Sequence, residues 1–85
     1  MNYELSFDEK ALEQLKKFPG ETRKRIFEKL RATKTSPFHY FERLKKISAY
    51  KLRIGDYRAI AEIKEGKIIV MYVGHRKNIY KKSNA

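Results

Sequence analysis

Two short turn signals divide the second half of this chain into three strand-length segments, and this pattern limits the fold more than any other feature. Gly55-Asp56 and Glu65-Gly66 each offer a two-residue loop between runs in which apolar and polar side chains alternate. Loops of this length join neighbouring antiparallel strands. We therefore predict strands over residues 47–54, 57–64 and 67–74, arranged as an antiparallel meander.

The N-terminal half predicts one strand and two helices. Residues 2–7 alternate between apolar and polar side chains, as in a half-buried strand. Asp8 offers a helix N-cap, and Pro19-Gly20 ends the first helix and starts the second. Residues 33–41 are predicted to form a loop. The expected fold class is α+β, with an N-terminal strand, an antiparallel helical hairpin and a three-stranded antiparallel meander packed on the helices.

The loop lengths also predict the register of the meander. Arg53 should face Arg58 in the first hairpin, and Ile60 should face Met71 in the second. The face turned towards the helices would then hold Tyr50, Leu52, Ile54, Tyr57, Ala59, Ala61, Ile63, Ile68, Val70 and Tyr72. The opposite face would hold the basic residues Lys51, Arg53, Arg58 and His75 at one end, beside an apolar patch of Ile60, Ile69, Met71 and Val73.

The apolar patch needs a cover, and two alternatives stay open. The segment 34–46 or the C-terminal tail covers it, or a partner protein does, because sizeable exposed apolar patches usually mark binding sites.

The charge balance indicates a polyanionic partner. The chain has 21 Lys and Arg against 10 Asp and Glu, a formal net charge of +11. Such an excess favours nucleic acid, an acidic membrane surface or an acidic protein. The alternative is a surface rich in Lys, Arg and Glu of the kind that thermophilic proteins carry.

Size and composition exclude several classes of protein. The 85 residues are expected to form one domain, residues 1–85. The chain has no cysteine, which excludes disulfides and thiolate zinc sites. We find no metal-ligand spacing and no phosphate-binding glycine loop, so no cofactor is expected. The sequence contains neither a signal peptide nor an apolar run of membrane-spanning length, and we expect a soluble, cytoplasmic protein.

The basic residues of the meander suit cleavage of RNA by its own 2′-hydroxyl. That reaction needs a proton acceptor, cations for the charged phosphorane and an acid for the leaving 5′-oxygen. Arg53 and Arg58 suit the phosphate oxygens, because guanidinium binds them bidentately. Histidine is the residue type best suited to proton transfer near neutrality, so His75 is a candidate for that role. Lys51 suits the role of base if neighbouring cations favour its neutral amine, and Arg76 adds another cation.

Tyr80 is predicted to stack on a base or to donate a proton. Lys45, Lys46 and Lys77 extend the basic surface and are predicted to contact RNA. Each assignment has an ordinary structural alternative: a histidine at a strand end is often only solvated, and this chain uses tyrosine freely in packing.

The chain resembles the RelE/ParE superfamily of toxins, and the RelE branch more closely. The resemblance covers nearly all 85 residues. Its specific part is the stretch Tyr50–Arg58, which ends in Gly-Asp-Tyr-Arg, together with Gly74-His75-Arg76 and Tyr80. The paired signature is more specific than either half alone.

The resemblance implies roles for individual residues. Arg58 corresponds to an arginine that contacts the scissile phosphate, Arg76 to one that stabilises or protonates the leaving side, and Tyr80 to a base-stacking aromatic. Lys51 lies on a basic position of the catalytic strand. Ala49 stands where some members have lysine, and His75 replaces lysine of other relatives, which leaves the identity of the general base open.

The resemblance also implies a function and partners. A RelE-like toxin enters the ribosomal A site, causes mRNA cleavage there, and is wrapped and inhibited by a RelB-like antitoxin. Two alternatives stay open. The ParE branch shares the fold but poisons DNA gyrase, and a member that has lost its chemistry would only bind RNA or an antitoxin.

Overall fold

A computed structural model describes residues 2–44 and 48–78 of the chain. The helices and strands are β1 (Glu4–Phe7), α1 (Glu9–Lys16), α2 (Gly20–Ala32), α3 (Pro37–Tyr40), β2 (Glu42–Arg43), β3 (Tyr50–Ile54), β4 (Tyr57–Lys64) and β5 (Lys67–His75), with a 3₁₀ turn at Thr33–Thr35. Over this part of the chain, no helix is both long enough and apolar enough to span a membrane.

The segment predicted as a loop is more ordered than its sequence indicates. Residues 33–41 hold the 3₁₀ turn and the short helix α3, and β2 follows directly. Pro37 opens α3, since its fixed φ suits the first turn of a helix. The loop prediction was therefore wrong for most of this segment. Asp8 does occupy the N-cap of α1, but its side chain makes no capping hydrogen bond.

The strands form one mixed sheet in the order β1-β5-β4-β3-β2. β3, β4 and β5 form the predicted antiparallel meander. β1 pairs with β5 in parallel, from Glu4↔Lys67 to Phe7↔Val70. Parallel neighbours in a sheet need a long crossover connection, and the intervening chain provides it. The sequence predicted β1 but not its partner.

The core lies between the helices and one face of the sheet. α1 packs mainly against β5, and α2 reaches β3. Ala11, Leu15, Ile26 and Leu30 of the helices are at most 1% exposed and share one apolar cluster with the sheet. The cluster includes all residues predicted for this sheet face except Tyr72, and Val73 takes that position.

A β-bulge in the second hairpin explains this exchange. The register runs as predicted from Lys64↔Lys67 to Ala61↔Val70, but Ile60 then pairs with Tyr72 instead of Met71. Met71 is the extra residue on β5. Because side chains alternate along a strand, one inserted residue moves every later side chain to the other face. The register predicted beyond Val70 was therefore wrong.

The apolar patch on the far face is partly covered by the chain itself. Ile60 and Ala49 are 1% and 3% exposed, and they pack with Leu44, Met71 and Tyr72. Leu44 and Ala49 flank the undescribed residues 45–47, and the Leu44 N–H donates to the Ala49 carbonyl at 2.9 Å. Leu44 and Ala49 thus help to bury Ile60, while Met71 and Tyr72 stay half-buried.

Beyond Phe7, helix α1 replaces β1 along β5. The Val73 N–H, which has no β1 residue beside it, donates to Gln14 Oε1 at 2.7 Å. A buried N–H without an acceptor costs free energy, so the Gln14 side chain here takes the place of an acceptor from β1.

Replacing Gln14 with alanine should lower the free energy of unfolding by about 1–3 kcal/mol, because it leaves the Val73 N–H without a hydrogen-bond acceptor. Urea unfolding followed by circular dichroism measures the loss. Glu13→Ala is the control, since Glu13 is the exposed neighbour on the same helix and should change stability by less than about 0.5 kcal/mol. Equal effects of the two substitutions would contradict a structural role for the Gln14 bond.

Candidate functional site: a cationic cluster at one end of the sheet

The turn between β3 and β4 brings two arginines together. Arg53 and Arg58 are direct partners across the strands, as the sequence predicted. Gly55 has φ +59°, a conformation that glycine adopts without strain, and Asp56 does not share it. This is the pattern of a two-residue type II′ turn. Like charges directly opposite each other destabilise a sheet, so the pair is a candidate anion site.

The Arg58 side chain is folded back over this turn. Its Nη1 donates to the Gly55 and Tyr57 carbonyl oxygens, both at 2.9 Å. These bonds hold the guanidinium in place while it remains partly exposed. A guanidinium has five N–H donors, so two such bonds are compatible with a further contact to phosphate.

Lys51 and β2 extend the cationic cluster. Lys51, Arg53 and Arg58 line a depression of about 240 Å³ together with Tyr40 and Glu42. Glu42 is the β2 residue opposite Lys51. Three cations and one carboxylate leave the depression positively charged. The sequence did not predict Tyr40 and Glu42, because the four-residue helix α3 and the two-residue strand β2 are too short to leave a periodic signal.

Arg76 lies beside the same turn. The backbone N–H of Arg76 donates to the Asp56 backbone carbonyl at 2.8 Å, and the side-chain Nε of Arg76 is 4.0 Å from Asp56 Oδ1. The two side chains are 55% and 74% exposed, so this ion pair contributes little to stability. Its importance is positional, because it places a further guanidinium at the Arg53–Arg58 end of the sheet.

His75 lies on the opposite face from Arg58, contrary to the prediction. It pairs with Tyr57, whereas Arg58 pairs with Gly74. Its ring packs on Tyr57 at 5.6 Å between centroids, on the side of the helices. The bulge at Met71 causes this difference. His75 Nδ1 accepts a hydrogen bond from the Lys77 N–H at 3.2 Å, and Lys77 is exposed.

The structure therefore brings together Lys51, Arg53 and Arg58, places Arg76 at the adjoining turn, and separates His75 from them by the sheet. Lys45, Lys46 and Tyr80 lie outside the described residues, so their predicted roles stay predictions.

Solved structures of small toxins share this fold. The toxin–antitoxin complex RelBE2 from Mycobacterium tuberculosis matches with a TM-score of 0.84 at 21% identity, covering 89% of this chain and 100% of that chain. A double arginine-to-alanine variant of the Escherichia coli toxin RelE in its free state matches with a TM-score of 0.80 at 29% identity, covering 100% and 95%. A chromosomal ParDE system from P. aeruginosa gives 0.71 at 14% identity, covering 86% and 95%.

The fold and the sequence together show that this chain is a toxin of a type II toxin–antitoxin system, within the RelE/ParE superfamily. A family model described as the ParE toxin of type II toxin–antitoxin system, parDE, matches residues 5–80, and the chain belongs to this family. Among curated protein sequences, none matches this chain.

Proposed function

We propose that this toxin is a ribosome-dependent endoribonuclease, a single domain that cleaves mRNA in the ribosomal A site. The observation that carries the proposal is the convergence of Lys51, Arg53 and Arg58 in one depression, with Arg76 at the adjoining turn. The three arginines at this end of the sheet suit a phosphodiester that gains negative charge as it reacts. The 29% identity to the E. coli toxin RelE over the whole chain adds support.

The proposed reaction is an attack of the 2′-hydroxyl on the adjacent phosphorus. The side-chain amine of Lys51 accepts the 2′ proton. Arg53 and Arg58 bind the non-bridging oxygens, and Arg76 stabilises the leaving 5′-oxygen, which takes a proton from solvent. The bond from phosphorus to the 5′-oxygen breaks, and the products are a 2′,3′-cyclic phosphate and a 5′-hydroxyl. The chemistry requires no cofactor.

His75 has no part in this proton transfer, since it lies across the sheet from the reacting phosphate. Lys45, Lys46 and Lys77 bind the RNA backbone, and Tyr80 stacks on a base next to the cleaved bond. Because the described residues place no histidine beside Lys51 in the depression, cleavage of free RNA should be poor, and the ribosome supplies the alignment of the mRNA.

The proposal extends to the partner. A RelB-like antitoxin wraps the toxin in the cytoplasm and lays acidic residues over the cationic cluster. The net charge of +11 provides the electrostatic attraction. Such an antitoxin inhibits by occupying the cations that RNA requires.

A second candidate is inhibition of DNA gyrase, as in the ParE branch. The family match itself favours it, because the matching model is that of ParE toxins. The absence of His75 from the cationic face also removes one proton-transfer group from the nuclease scheme.

Expression from a tightly controlled promoter, with transcript 5′ ends mapped in the cells, separates the two candidates. The nuclease proposal expects new 5′-hydroxyl ends in frame within translated codons, and none with the Arg58→Ala variant. Intact transcripts with DNA-damage signalling would instead support the gyrase candidate. Expression without any growth effect would contradict both and indicate a binding module that has lost its chemistry.

A further inference from the structure

A second cavity lies on the helix side of the sheet, near the cationic cluster but separate from it. It measures about 210 Å³ and is formed where the end of α1 passes the end of β5. Its lining residues are Gln14, Lys17, Phe18, Tyr57, Val73, Gly74, His75 and Asn78. Lys17 and Asn78 are exposed, so the cavity opens to solvent on their side.

Three aromatic rings line this cavity. Phe18 and Tyr57 have centroids 5.0 Å apart, and Tyr57 and His75 are 5.6 Å apart. All three rings are only half-buried, although the neighbouring Val73 is 1% exposed. Half-exposed rings around an open cavity offer flat surfaces on which another planar ring can stack.

The polar groups of the cavity suit the edge of a heterocycle. Gln14 Oε1 accepts the Val73 N–H, which leaves the side-chain NH₂ of Gln14 as a donor. Asn78 offers both a donor and an acceptor. A few polar groups on an otherwise apolar wall are typical of sites that orient a small ligand. A cavity of this size is smaller than the roughly 300–1,000 Å³ of pockets for drug-sized ligands, and it suits one flat ring system.

The cavity is adjacent to the cations along both strands. Tyr57 directly precedes Arg58, and His75 directly precedes Arg76. Because successive side chains of a strand point to opposite faces, the rings lie on the helix side while Arg58 lies on the far face. A single RNA strand that passes the end of the sheet can place a phosphate on the arginines and a base in the cavity.

We propose that this cavity, the aromatic pocket lined by Phe18, Tyr57 and His75, binds one nucleobase of the RNA whose backbone the cationic cluster holds. The inference rests on the proposed function for its substrate class, and it gives His75 a binding role in place of the proton-transfer role expected from sequence. Stacking on aromatic rings accepts every base, whereas Gln14 and Asn78 would discriminate among bases through their edges.

The test is a nuclear magnetic resonance titration of the full-length toxin with the four nucleoside 5′-monophosphates, and separately with ribose 5-phosphate. Ribose 5-phosphate carries the same phosphate and sugar without a base. We expect the nucleotides to shift the signals of Gln14, Gly74 and His75 and to bind about tenfold more tightly than ribose 5-phosphate, the gain expected for one stacked base. Equal affinity, or shifts confined to the arginine side of the sheet, would overturn the proposal.

Three variants sharpen the result. His75→Ala should remove most of the tenfold difference, whereas His39→Ala should keep it, because His39 is the other histidine and lies exposed on α3 outside the pocket. Asn78→Ala, a change at an exposed residue, should narrow the differences among the four nucleotides without unfolding the chain. A His75→Ala variant that keeps the full difference would contradict the pocket.

The titration measures binding and not cleavage, so it separates this proposal from the proposed function. A toxin that binds bases in the pocket but leaves mRNA intact would refute the nuclease alone. A toxin that cuts mRNA but shows no base-dependent binding would refute the pocket alone.

Discussion

Arg58→Ala is expected to reduce ribosome-dependent mRNA cleavage about 100-fold or more, the typical effect of removing one preorganised donor from a developing oxyanion. The measurement is the single-turnover rate of mRNA cut by purified toxin on programmed ribosomes. The fold should survive, because Arg58 is partly exposed and its two bonds are to carbonyls of the adjoining turn. Removing it also relieves the like-charge contact with Arg53.

Two further variants identify the property of Arg58 that matters. Arg58→Lys keeps the charge but loses the planar fork, so its rate should fall between those of wild type and Arg58→Ala. Arg31→Ala removes an exposed arginine from the last turn of α2 and should leave the rate nearly unchanged. If Arg31→Ala and Arg58→Ala slowed cleavage alike, the effect would reflect net charge, and the assignment of the site would be wrong.

Leu30→Ala should lower the free energy of unfolding by about 2–5 kcal/mol, because it leaves a cavity in the core. Leu30 is 0% exposed and belongs to the apolar cluster that joins the helices to the sheet. In a chain of this size such a loss lowers the midpoint of thermal unfolding by about 10 °C or more. Thermal unfolding followed by circular dichroism measures it.

Leu12→Ala is the matched control. It removes the same atoms from a helix, but Leu12 is 41% exposed. The loss should be smaller, about 1–2 kcal/mol, because part of the Leu12 side chain already lies in water and its removal leaves no enclosed cavity. Comparable losses at the two positions would show that α2 does not pack on the sheet as described.

The first hairpin could be predicted from sequence in detail, and the second only as far as Val70. Gly55-Asp56 and Glu65-Gly66 both form two-residue turns, with positive φ at Gly55, Glu65 and Gly66. Turn chemistry and side-chain alternation act over a few residues, so the sequence reveals them directly. The bulge at Met71 has no such local signal, because either register of β5 presents apolar residues to the core.

Part of the candidate site followed from the same local rules. The Arg53–Arg58 pair depends only on the first turn, and its prediction was confirmed. The position of His75 depends on the second hairpin beyond the bulge, and the prediction that it shares a face with Arg58 was wrong. Glu42 reaches the site through β2, whose pairing with β3 joins segments separated along the chain, and Tyr40 reaches it from the end of α3.

By itself, the sequence determined the strands of the meander, its two turns, the excess of positive charge and the arginine pair, because each arises from neighbouring residues or from composition. Only the tertiary structure decided that β1 lies beside β5, that Gln14 completes the edge of β5, and that His75 turns towards the helices. Those outcomes depend on which distant groups satisfy the backbone and fill the core, and such contacts form only when the whole chain packs.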